Sequence, residues 1–175
     1  MARRRYRQRS YYRRRGRWSA NIKNFDSNTE LPVQSSFYIT HKLCENPAQT
    51  DSTVSQQYTV KNIEYTLQFE QEPNVLQSTS VEQIQSYIMF VPQGYTITET
   101  MPFSHPEWIL GYRYLGSADD DAGFYRNPIK IRTRLARRLQ TGDAIYLIVL
   151  GKSEVTTSGR HLNIGGLVRW WTKAN

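Results

Sequence analysis

The chain holds one cysteine, Cys44, in 175 residues. A lone thiol can close no internal disulfide and supplies no metal-ligand cluster, so it reads as a structural thiol. Long apolar runs are missing as well. The longest, residues 144–150, is far short of the roughly 20 residues that a membrane-spanning helix needs and suits a buried strand. No membrane insertion is expected. There is no Gly-rich phosphate loop, no nucleophile elbow and no His-x-Glu with paired cysteines. The three histidines, His41, His105 and His161, are scattered without metal-ligand spacing. His41 and Cys44 lie close together, but no third partner in their segment completes a catalytic set. The expectation is a protein that is not an enzyme and carries no cofactor.

Acidic residues are absent from the first 25 positions, which hold ten of the 23 lysines and arginines. Removing those ten leaves 13 basic residues against 15 acids, so a net charge of +8 resolves into a near-neutral body and a cationic end. The partner of the charge is therefore a partner of that end. Residues 1–24 form an arm rich in arginine and almost free of lysine. Their like charges repel, and no apolar stripe offsets the entropy of folding, so alone the arm is expected to be disordered or extended. The planar guanidinium forks onto phosphate oxygens and stacks on bases. Arg3, Arg4, Arg5, Arg7, Arg9, Arg13, Arg14, Arg15 and Arg17 supply it here, with Tyr6, Tyr11, Tyr12 and Trp18 interleaved. Such rings stack on unpaired bases without demanding a sequence, and binding should be salt-sensitive. A transit peptide would need an amphipathic apolar face, which is missing. A nuclear-localisation signal is compatible with nucleic-acid binding, since one arm can serve both. A merely solubilising tail is the plainest competing reading.

The body, residues 25–175, alternates mostly with period two. Ile63, Tyr65, Leu67 and Phe69 fall on one face and Asn62, Glu64, Thr66, Gln68 and Glu70 on the other, the pattern of a half-buried strand. Further strands are expected over 37–40, 86–91, 129–135, 144–150 and 167–172. Turn chemistry separates them at Asn46-Pro47, Pro73-Asn74, Gln93-Gly94, Asn127-Pro128, Gly142-Asp143 and Gly165-Gly166. Only 81–84 and 105–110 invite a helical turn or two. Many strands with uneven loops imply an all-β fold, two packed antiparallel sheets in a sandwich or jelly roll.

The order of these features resembles the capsid proteins of small circular Rep-encoding single-stranded DNA viruses, the circovirus- and nanovirus-like group. The matching pieces are the opening MARRRYR, then YIMFVPQG at 87–94, HPEW at 105–108 and NPI at 127–129. RLARRLQTGD at 134–143 and GLVRWWT at 166–172 follow in the same order. The likeness covers the arm and the chain from about residue 81 onward; residues 30–58 match nothing in it. It implies an eight-stranded viral jelly roll, closed by about sixty copies into a T=1 icosahedral shell around circular single-stranded DNA. The partners it implies are the chain itself, the DNA genome and the host's nuclear import machinery. The locations are the virion and, during assembly, the host nucleus.

Three smaller sites carry open readings. Lys130, Arg132 and Arg134 fall on one strand face, with Arg137 and Arg138 after it. They form a second nucleic-acid site, or else a solvated face paired to a neighbouring subunit's acids. Asp119, Asp120 and Asp121 sit in a loop where three carboxylates could hold a divalent cation. They lack the spacing of an EF-hand, and a solvated loop is the plainer reading. Trp108, Trp170 and Trp171 are expected at subunit interfaces, with Trp170 and Trp171 on opposite sides of a strand. The alternative to a coat protein is a non-viral nucleic-acid-binding β-domain with a basic tail, such as a ribosome-associated protein. Self-assembly separates the two.

Overall fold

The computed structural model describes residues 18–46, 57–71, 81–118, 129–156 and 158–174. Among them run nine strands: β1 Ser19–Glu30, β2 Ser36–Glu45, β3 Tyr58–Gln71, β4 Val81–Val91, β5 Ile109–Ala118, β6 Ile129–Arg132, β7 Arg137–Leu139, β8 Ala144–Ser153 and β9 His161–Ala174. One short helix, α1 Met101–Ser104, and a 3₁₀ turn, Pro106–Trp108, lie between β4 and β5. No helix of the described residues is long and apolar enough to cross a membrane.

The strands form two antiparallel sheets. One has the order β1-β9-β3-β6, with β7 also on β3; the other has the order β2-β8-β4-β5. β6 pairs with residues 64–67 of β3 and β7 with residues 58–60 of the same strand, either side of a bulge. β6 and β7 are thus one strand position, interrupted. Eight positions result, four per sheet, and successive strands alternate between the sheets except for β4 and β5, which pair with each other, in the order of a jelly roll.

The interruption has a local cause. Thr133 turns into the interior, where its hydroxyl donates to Leu110 O at 2.6 Å and its N–H donates to Ile63 O at 2.8 Å. Leu135 N–H then donates back to the Thr133 hydroxyl. The expected strand over 129–135 therefore stops at Arg132, and Leu135 is exposed rather than buried. Arg113 donates to Lys130 O at 2.8 Å, joining β5 to β6 where the two sheets meet at their edges.

The core lies between the sheets. Ile63, Tyr65, Leu67 and Phe69 of β3 face it, as their alternation requires, opposite Ile88, Phe90, Leu147 and Val149. The Tyr65 hydroxyl bonds to that of Ser86, both buried, so a polar pair bridges the sheets inside an apolar layer.

Residues 81–84 are strand, not the helical turn their spacing suggests. Gln83 adopts φ +53° at a bulge, which places Val81 and Ile84, three residues apart, on the same buried face. A bulged strand imitates the helical period here. Over 105–110 the turn is real but brief, since β5 starts at Ile109. At the other end, β1 opens at Ser19. Residues 19–24 of the expected arm therefore pair with 167–172 of β9.

Candidate nucleic-acid interface

Because side chains alternate across a sheet, the face of β3 that turns away from the core carries Lys61, Glu64 and Thr66. The register fixes their neighbours. Glu64 lies between Arg132 of β6 and Arg169 of β9, and Arg169 pairs onward with Ile22 of β1. Thr66 lies between Lys130 and Leu167, and Lys61 pairs with Trp171, which pairs with Ala20. Thr59 sits between Arg138 of β7 and Lys173. One outer sheet face thus gathers Lys61, Lys130, Arg132, Arg138, Arg169 and Lys173 around Glu64.

The ion pairs among the described residues are Lys42–Glu45, His105–Glu107 and Lys152–Glu154, all away from this face. None of the six cations lies within ion-pair distance of a described carboxylate. Two of them instead meet aromatic rings. Lys61 Nζ stands 3.9 Å from the centre of the Trp18 ring, and the Arg169 guanidinium 6.0 Å from that of Trp171. A cation over a ring face is held by the ring's quadrupole. Trp18, the last residue before β1, is thereby fastened to the cationic face.

The expected second site is therefore divided. Lys130, Arg132 and Arg138 lie on the outer face, while Arg134 is exposed in the connection after β6. Arg137 turns the other way, its guanidinium 4.0 Å from the centre of the Phe90 ring. Of the nucleic-acid-binding residues expected in the arm, Trp18 alone is described; Arg3, Arg4, Arg5, Tyr6, Arg7, Arg9, Tyr11, Tyr12, Arg13, Arg14, Arg15 and Arg17 lie outside the described residues, as do Asp119, Asp120 and Asp121. No group of metal-ligating side chains occurs among the described residues.

The tryptophans separate. Trp108 is buried, stacked at 3.8 Å on the His105 ring and met edge-on by Tyr95. Trp170 points inward and packs against the core, whereas Trp171 lies half-buried on the outer face. The residues that the sequence reading passes over are Lys61, Arg169 and Lys173. The signal for two of them was present, because Arg169, Trp171 and Lys173 alternate with the buried side of a strand already foreseen.

The outer face of the other sheet has a different character. Tyr38, Tyr112 and Tyr114 on its strands, and Phe103 of α1, are exposed. A cavity of about 280 Å³ opens there between Phe37, Gln85, Glu99, Phe103 and Lys152, and another of about 260 Å³ lies at the sandwich end between Cys44, Tyr58, Leu139 and Trp170. Neither is lined by a histidine, so neither assembles a nucleophile beside a histidine base. Burial pushes the Cys44 thiol up to about 12, which keeps it protonated and unreactive.

No family model matches the chain, and no curated protein matches it. Among solved structures it is similar to desmodium yellow mottle tymovirus, at 12% identity over 86% of this chain and 81% of that one, with a TM-score of 0.34. Turnip yellow mosaic virus is similar at 13% identity over 86% and 92%, TM-score 0.36. The decameric BFDV capsid protein is similar at 10% identity over 89% and 99%, TM-score 0.38. Likenesses this distant carry no functional argument.

Proposed function

We propose that the chain is a structural coat protein that assembles with copies of itself into a small icosahedral shell and encloses circular single-stranded DNA. The observation that carries this reading is the segregation of charge. Nine arginines precede Trp18 in the sequence, and Trp18 is held by Lys61 on the cationic sheet face. The arginines are thus joined in sequence, through Trp18, to the cationic face, and the opposite sheet shows exposed tyrosines. A shell subunit needs this polarity: a polyanion-binding side turned inward and a side free of it turned outward. The arm also suits recognition by nuclear import machinery before assembly, with the host nucleus and then the virion as its locations. The role is structural rather than catalytic.

The cationic patch on the fold also suits the second reading, a non-viral nucleic-acid-binding β-domain with a basic tail, because a dedicated binder carries such a patch. Electron microscopy of the purified protein, with absorbance at 260 and 280 nm on the same fractions, decides between them. Uniform round shells containing nucleic acid are expected. A monomer or dimer that binds DNA without assembling, even at low salt and high concentration, overturns the coat reading in favour of the second.

A further inference from the structure

The outer face of the first sheet holds one feature that charge alone does not explain. Trp171 is a large ring set half-exposed among cations, where a small or polar residue would keep the strand equally well. Its partner on β1 is the small Ala20, and Lys61 sits opposite on β3. Arg169, two residues away on the same side of β9, keeps its guanidinium 6.0 Å from the ring centre. Trp18 lies nearby under Lys61. Two indoles and two cations therefore alternate across β9, β3 and the start of β1.

We propose that Trp171 is a stacking platform for an unpaired base of single-stranded nucleic acid, with Lys61 and Arg169 taking the adjoining phosphates and Arg132 and Lys130 extending the path. The proposal rests on the nucleic-acid-packaging reading above and assigns a defined site within it. A ring can stack only on a base whose face is not already covered, which selects single strands over duplex. The competing occupant of Trp171 is a neighbouring subunit. That contact would have to bring carboxylates of its own to Lys61, Arg169 and Arg132, for which no described carboxylate is at ion-pair distance, because unpaired charges are costly to desolvate. A polyanion neutralises the same cations, so charge complementarity favours it.

The test uses the full-length protein with oligodeoxythymidine carrying 5-iododeoxyuridine, irradiated and mapped by mass spectrometry. Cross-links at Trp171 are expected. Fluorescence anisotropy across a salt series supplies the second readout. Trp171→Leu should weaken binding about tenfold at every salt concentration without changing the salt slope, because stacking releases no counterions. Trp171→Phe should retain most of the affinity. Arg169→Gln should lower the slope by about 0.7, the share of one phosphate contact on a single strand. Cross-links confined to Tyr6, Tyr11 and Tyr12, in shells that hold DNA, overturn the proposal and leave the coat reading standing. Cross-links at Trp171 in a protein that never assembles leave the site standing and overturn the coat reading. Shells lost on Trp171→Leu, with no cross-link at Trp171 in the unaltered protein, place the ring between subunits and overturn the proposal.

Discussion

His41 shows how a single side chain can tie stability to pH. Its ring packs on Phe25 with centroids 4.8 Å apart, and its Nε2 is buried with no hydrogen-bond partner. Burial lowers its pKa from the usual histidine value, and the Lys23 charge on the facing strand lowers it further. The unfolded chain therefore binds this proton at a pH where the folded chain does not. Stability is fully present above about pH 6.5 and is lost as pH falls from there toward the depressed folded value. Urea midpoints at pH 7.5 and pH 5.5 should fall accordingly, and His41→Phe should shrink the difference by removing both the proton site and the orphaned nitrogen. An unchanged difference in the variant would mean that His41 is not its source. None of this is legible in the sequence, where His41 sits beside Cys44 as if the two belonged together. What distinguishes them is the strand alternation and the Phe25 ring, which comes from a different strand.

At the scale of elements, legibility follows the regularity of the backbone. β8 and β3 from Ile63 onward were legible because their apolar run or alternation is unbroken, and burial by the facing sheet rewards it directly. The places that misread are those where a bulge resets the count: Gln83 in β4, and the step from β6 to β7. Thr133 is the clearest case, because nothing about an Ile-Arg-Thr-Arg-Leu stretch says that the threonine will leave the ladder. In the structure its hydroxyl donates to Leu110 of one sheet while its N–H donates to Ile63 of the other. Thr133→Val keeps the shape and removes the hydroxyl, leaving Leu110 O without that donor in a buried setting. The expected cost is about 1–3 kcal/mol, read as a lower urea midpoint at constant slope. A changed slope would instead mean that the split strand had re-formed with a different extent of pairing.

At the scale of the whole molecule, the two cationic regions differ in how they can be found. The arm declares itself through composition, since nine arginines fall in residues 1–17 without an acid. The sheet face does not, because its cations come from β3, β6, β7 and β9 and meet only through register. The net charge of the body conceals it, with acids elsewhere cancelling the sum. Salt dependence separates the two contributions. If each arm arginine meets one phosphate, removing residues 1–17 should reduce the slope of log K against log salt by about 6 for a single strand. Strand β1 begins at Ser19, so the truncation spares every strand pairing described. The six cations of the face should leave a residual slope of up to about 4 in the truncated protein. A residual slope near zero would mean that the face meets no DNA and that the arm binds alone. A slope unchanged by truncation would mean the reverse, with the arginines solvating or addressing the chain rather than packaging its cargo. In the proposed shell, if about sixty copies close it, the ten cations of residues 1–25 could offset roughly 600 phosphates, and a face that adds six more per copy would raise that reach by more than half. Under the coat-protein proposal, the residual slope therefore bears on how long a genome such a shell would hold as well as on where the DNA would lie.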